Sequence, residues 1–403
     1  MTETAYLNDQ LITYIGNKRK LIPEILKFVA LAKEKTGRQR LRSADLFSGS
    51  GIVARHLMLH SDVVVAVDLE KYSKVINDCF LLTNRNIPME VLYALYLGRI
   101  SSRIDAQLAQ REVQGERGFF ERNYAPADID NIQPGERCFY TSRNAAYLDA
   151  VQNVLATTFP TNKEYPAHDH TNKSNEWLYN FFMAPLLSAA SVHCNTCGVF
   201  KGFYKDKTTG IGKFGGAGEN ALERITDDID LEFPLVWQWE KLIHNTQGIA
   251  VQSDVNSWVR GNYLNFDFTY IDPPYNQHPY GSNYFMLNFL ADKEQKHLEL
   301  QDEDFSKQSG IPSNWNRSGY NKKKYSKELL FEVLEKARSR FVCLSYNSTG
   351  FISYDEIVDE LRTLGSLEIK EISYPSFRGS RNYNQDNKKV TEFLFLLDKG
   401  ANF

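Results

Sequence analysis

The run YIDPPYNQ, Tyr270–Gln277, sets an acid, two prolines and an aromatic ring directly after the strand-like stretch FDFTY. Consecutive prolines fix their own φ angles and restrict the residue before them, so Asp272, Pro273, Pro274 and Tyr275 form a stiff unit. A carboxylate and the Pro273 carbonyl on such a unit can hold an exocyclic amine, while the Tyr275 ring packs on a planar base. The competing reading is a turn that merely ends the strand. A second stretch, DLFSGSG from Asp45 to Gly51, lies between a strand and a helix. Glycines there allow a tight turn and close approach of a ligand to the backbone, where the following helix presents free N–H groups. It lacks the third glycine of a dinucleotide fingerprint, and no phosphate-binding loop occurs in the chain. Asp68 ends the strand VVVAVD roughly 20 residues after that turn, where an acid in a nucleotide-binding α/β fold accepts from ribose hydroxyls. Glu70, two residues on, is a poorer candidate. Asp254 ends the strand GIAVQSD, so several acids close strands that could share one sheet edge.

The elements that would carry these residues alternate. LIPEILKFVALAKEK has helical spacing after an early proline, RSADLF is a short strand, IVARHLML a second helix and VVVAVD a buried strand. Helix and strand in alternation predict parallel α/β units. The rhythm stops near Thr83 and returns near Asn245, with GIAVQSD, FDFTYID, FVCLSYN, LEIKEISY and EFLFLL as further strands. The expected architecture is α/β: a Rossmann-like, mixed, mostly parallel seven-stranded sheet formed by residues 1–84 and 246–403, interrupted by a mainly helical insertion over residues 85–245. A polar, loop-like segment runs from Ala291 to Lys324, and no internal repeat stands out.

Composition sets bounds. A chain of 403 residues with 42% hydrophobic residues can bury a substantial core. No run of about 18 apolar residues suggests a membrane span. MTETAYLNDQ lacks the basic-then-apolar layout of a secretory signal, so a cytoplasmic location is expected. Five cysteines without regular spacing suit reduced thiols better than a disulfide framework. A net charge of −3 neither supports nor excludes DNA binding, since a local basic groove can be masked by acids elsewhere.

The ordered set YIGNKRKL, DLFSGSG, VAVDLE, VQSD, DPPYN and SYN resembles the Dam-like class of S-adenosylmethionine-dependent DNA adenine methyltransferases. The resemblance covers about Leu11–Asp78 and Val251–Leu397, with the insertion where that class keeps its target-recognition domain. It implies S-adenosylmethionine as cofactor, contacted by Tyr14 and Lys18 near its amino acid moiety and by Asp45, Phe47, Gly49 and Gly51 at the turn. Asp68 would take the ribose and Asp254 the adenine amine of that cofactor. Asp272 and Tyr275 would serve a target adenine flipped out of double-stranded DNA, and the implied role is protective modification alongside a cognate restriction endonuclease. The chain departs from the class at Tyr14, where a Trp often stands, and in YIGNK, where GGK is common. Methylation of cytosine at its 4-amino group, methylation of adenine in RNA, and a DNA-binding protein without catalysis are the alternatives.

Other motifs carry less. CNTC, Cys194–Cys197 beside His193, has metal-like spacing but no partner pair, so no metal is expected. KGFYKDKTTGIGKFGG interleaves Lys201, Lys205 and Lys213 with aromatic and glycine residues, a pattern suited to phosphate contacts or to a solvated loop. RSGYNKKKYSK is similar. SFRGSRNYNQ lies between the two C-terminal strands, where the resembled class places a DNA-contacting hairpin, which nominates Arg378 and Arg381.

Overall fold

A computed structural model describes residues 3–81, 89–162, 170–216, 220–231, 243, 245–375 and 389–401. Seven strands form one sheet: β1 Leu41–Leu46, β2 Ser61–Asp68, β3 Gln247–Gln252, β4 Phe266–Ile271, β5 Ser339–Asn347, β6 Ser366–Pro375 and β7 Lys389–Asp398. Their order is β3-β2-β1-β4-β5-β7-β6. β1 through β5 pair in parallel, and β7 runs antiparallel between β5 and β6. The mostly parallel sheet expected from the alternating pattern is therefore present.

The central strands are apolar because both faces are covered. Ala44, Leu46, Val65, Val67, Val342 and Leu344 pack with Val255, Leu330, Leu334, Ile357 and Leu361 from the helices Val255–Gly261, Lys323–Lys336 and Tyr354–Leu364. The helix Ile22–Thr36 carries Pro23 in its first turn, where a missing N–H costs no bond, and stops at Gly37 in the left-handed conformation, φ 68°. Ser353 and Glu356 cap the helix Tyr354–Leu364 reciprocally, each side chain accepting from the other's backbone N–H.

The chain divides into two compact units. One comprises residues 16–77, 242–279 and 317–403, the sheet and its covering helices; the other comprises residues 1–15, 78–241 and 280–316. Helices dominate the second unit, notably Met89–Gln114, Ser142–Thr158 and His170–Val192. Its core gathers Phe181, Phe182, Met183, Leu186 and Leu187, all fully buried. The segment after DPPY joins this unit through specific bonds: Gln152 Nε2 donates to the Phe289 carbonyl at 2.6 Å and the Tyr179 hydroxyl to the Leu290 carbonyl at 3.0 Å.

The structure also discloses a short repeat that the sequence pattern hides. DKTTGI, from Asp206, and SKQSGI, from Ser306, form the same tight hairpin. Asp206 N–H donates to Ile211 O at 2.8 Å, and Ser306 N–H to Ile311 O at 2.9 Å. Lys205 bridges Gly212, and Phe305 bridges Pro312. Gly210 (φ 72°) and Gly310 (φ 65°) occupy the same left-handed position. Lys, Gly and Ile alone are identical between the two, too few to stand out along the chain. Among the described residues, no helix is long and apolar enough to cross a membrane.

Candidate active site

Strand order reverses between β1 and β4, since β2 and β3 extend one way and β5 the other. In open α/β sheets, ligands bind beyond the carboxyl ends of the strands at such a reversal. The register puts Leu46 opposite both Val67 and Ile271, and Asp68 opposite Gln252. The glycine turn, Asp68, Asp254 and Asp272 therefore all leave the sheet at one edge. Asp272 N–H donates to the Leu46 carbonyl at 3.3 Å, tying the start of DPPY to the start of the glycine turn.

The turn itself is strained and supported. Phe47 adopts φ 65°, a conformation non-glycine residues rarely take, and its ring packs edge-on against Tyr320 at 5.0 Å. Gly49 and Gly51 follow at φ 52° and 73°. Gly49 N–H donates to Asp68 Oδ2 at 2.8 Å, and Glu70 N–H to Asp68 Oδ1 at 2.8 Å. The Ser73 side chain and the Leu69 backbone N–H add to these bonds, so the carboxylate is held from several sides. Burial raises the Asp68 pKa to about 6 despite those N–H bonds. Asp45 is more deeply held: Oδ2 accepts from Ala54 N–H at 2.9 Å, which pins the end of β1 to the helix Ile52–Met58. Burial, reinforced by the nearby charges of Asp272 and Asp68, pushes its pKa well up. Asp254 is exposed and caps the helix Val255–Gly261, accepting from Ser257 N–H at 2.9 Å.

Around DPPY three ionisable groups meet. Lys18 Nζ lies 3.1 Å from Asp272 Oδ1 and 2.7 Å from Glu392 Oε1. Burial opposes the Lys18 charge, yet Asp272 and Glu392 together drive its pKa well up. Asp272, with 19% of its side chain exposed, is shifted to about 7 by burial and the Glu392 charge, with Lys18 pulling the other way. The Tyr275 ring packs near Tyr346 at 6.0 Å and lies 5.7 Å from Lys18 Nζ. Asn276 stabilises the exit from the motif: Oδ1 accepts from His278 N–H at 3.0 Å, and its carbonyl accepts from Asn321 Nδ2 at 2.9 Å. Sequence reasoning missed Glu392, which is fully buried. The available signal was an acid inside VTEFLFLL, an otherwise apolar strand.

The remaining nominated residues belong to the helical unit or lie outside the described residues. Tyr14 stacks with Tyr284 and tilts against Tyr280, both at 5.2 Å. Lys201, Lys205 and Lys213 are exposed, with Lys205 Nζ 5.0 Å over the Phe203 ring and Lys213 Nζ 3.8 Å from Asp206. Arg378 and Arg381 lie outside the described residues. His193 Nδ1 lies 2.7 Å from the Arg224 carbonyl and Cys197 Sγ 3.3 Å from the Tyr204 hydroxyl. Among the described residues no group of three or more His, Cys, Asp or Glu is arranged to hold a metal.

The sheet edge thus offers acceptors in excess of cations, a turn without side-chain bulk, and an aromatic ring beside an acid. Such an edge suits a cationic, nucleoside-bearing ligand and a planar base carrying an amine. A family model described as D12 class N6 adenine-specific DNA methyltransferase matches residues 14–213 and 237–342. The chain is similar to type II methyltransferase M.NlaIII of Neisseria lactamica, 25% identical over 390 residues, 96% of this chain and 99% of that protein. It is 24% identical over 386 residues to type II methyltransferase M.CviAII of Paramecium bursaria Chlorella virus 1, covering 96% and 98% of the two chains. Modification methylase StsI of Streptococcus sanguinis is 27% identical over 394 residues; 96% of this chain matches 52% of it, so the chain spans about half of that relative.

Proposed function

The chain belongs to the D12 class N6 adenine-specific DNA methyltransferase family, and from that premise we propose that methyl transfer to adenine takes place at the sheet edge where DPPY meets the glycine turn. The donor is S-adenosylmethionine, whose sulfonium methyl is already activated for transfer. The residues present fit it. Gly49 and Gly51 leave the turn free of Cβ bulk, Phe47 flanks it, Asp68 stands at the end of β2 as the acid assigned to the ribose hydroxyls, and Asp254 stands at the neighbouring strand end. The acids of this edge, with Asp45 behind the turn, favour a cation. Lys18 and Tyr14 are assigned to the amino acid end.

The protein's own contribution is to position and to stabilise charge. Asp272 and the Pro273 carbonyl accept the two N–H groups of the target amine and direct its lone pair, and they stabilise the positive charge that develops on nitrogen. Pro273 and Pro274 keep those acceptors from relaxing away. Tyr275 stacks on the base, which must leave the duplex because its amine is otherwise paired. The insertion over residues 85–245 serves as target-recognition domain, with Lys201, Lys205 and Lys213 on phosphates, joined by Arg378 and Arg381. The modification-methylase and type II names of the relatives support a protective role beside a cognate restriction endonuclease.

The observation that carries this reading is the bond joining Asp272 to Leu46 at the reversal of strand order, which sets the acceptor beside the turn. Asp272→Ala is expected to leave S-adenosylmethionine binding within a few-fold by calorimetry while methyl transfer to DNA is lost. Near-normal turnover of that variant would remove Asp272 from the mechanism.

A further inference from the structure

Building on the assignment of methyl transfer to Asp272, we propose that Glu392 is a positioning residue that holds Lys18 and so keeps Asp272 available as acceptor for the target amine. The contact lengths favour this division, since Lys18 Nζ sits at 2.7 Å from Glu392 and at 3.1 Å from Asp272. Glu392 is anchored independently of Lys18. Oε1 accepts from the Ser345 hydroxyl at 2.7 Å and Oε2 from Asn347 Nδ2 at 3.0 Å. Both anchors stand on β5, and the antiparallel register pairs Asn347 directly with Glu392. A fully buried carboxylate with two neutral donors and one ammonium is fixed in place, whereas Asp272 keeps a partly open face.

Charge counting gives the reason. Two carboxylates against one ammonium leave one negative charge at this wall of the site. Without the Glu392 charge, Lys18 would close on Asp272 as its remaining anionic partner here, occupying the acceptor. The wall would also lose its net negative charge beside an amine that becomes positive during transfer. Asp272 is faced by Lys18 and Glu392, by Asp45 across the strand end, and by Tyr270, Tyr275 and Cys343.

The test is single-turnover methylation of an oligonucleotide duplex by the full-length enzyme, followed across pH at saturating S-adenosylmethionine. Glu392→Gln keeps the shape and removes the charge. Its plateau rate should fall roughly tenfold, the scale of one charge-assisted hydrogen bond. Its acid limb should move to lower pH, because Asp272 loses a like charge and keeps Lys18. S-adenosylmethionine affinity should change little. Ser345→Ala, which removes one anchor, should shift rate and limb in the same direction by less, and serves if Glu392→Gln does not fold. An unchanged plateau or an unmoved limb overturns the proposal. Loss of transfer in Asp272→Ala alongside a normal Glu392→Gln would overturn only this inference and leave the site assignment standing.

Discussion

At Gly51 the backbone sits at φ 73°, and a Cβ built there would lie 2.4 Å from Asn77 Oδ1. Alanine at this position meets both a left-handed backbone and a side chain that is itself held, since Asn77 Nδ2 donates to the Ser73 carbonyl at 2.9 Å. Gly51→Ala is expected to lower unfolding stability by about 2 kcal/mol in denaturant titration, the left-handed cost alone being about 1–2 kcal/mol. It should weaken S-adenosylmethionine binding more than DNA binding. Asp272 yields a prediction of different sign. Burial raises its pKa to about 7, so the neutral acid predominates below that value and one oxygen then donates where it should accept. The kcat/KM for methylation should therefore climb as pH rises through about 7, by roughly tenfold per unit on the acid side. Asp272→Asn, which cannot titrate, should lose that limb; a limb that survives the substitution would assign it to another group.

Single elements explain which parts of this site the sequence disclosed. Acids at the ends of β2, β3 and β4 were legible because parallel strands deliver their C-terminal residues to one edge, a consequence of connection rules alone. Glu392 was not, because β7 runs antiparallel and brings its beginning, not its end, to that same edge. Asn276 likewise has meaning only through its turn with His278 and its partner Asn321, 45 residues away. The twin hairpins at Asp206 and Ser306 were hidden because a hairpin of this kind needs only a glycine and a few hydrogen-bonding side chains, too little to register as a repeat. The first hairpin carries Lys205 and Lys213, one partly offset by Asp206 and one held over Phe203. If each neutralises one phosphate, Lys205→Ala and Lys213→Ala should each reduce the slope of log affinity against log salt by about 0.9 and weaken cognate and unrelated duplexes alike. A loss confined to the cognate sequence would mark the residue as a base reader instead.

Across the whole molecule the chain passes five times between its two compact units, so neither is a continuous piece of sequence. The strand rhythm reveals the sheet with its seven strands, yet gives no sign that residues 280–316 leave it, because a short helix such as Phe285–Ala291 has the same apolar pattern whichever core receives it. That helix packs on the long helix His170–Val192, and Phe285, Met286, Leu287 and Leu290 are all buried. Removing residues 85–245 and joining the ends would therefore keep every strand and every carboxylate of the site while stripping the cover from this segment. Four large apolar side chains newly exposed to water each cost about 1.5–3 kcal/mol, against a total stability of about 5–15 kcal/mol for an ordinary domain. The shortened chain is expected to aggregate or to bind a hydrophobic dye strongly, and to fail to bind S-adenosylmethionine in calorimetry. A monomeric product with a cooperative melt and intact S-adenosylmethionine affinity would show instead that the sheet folds without the segment's partners.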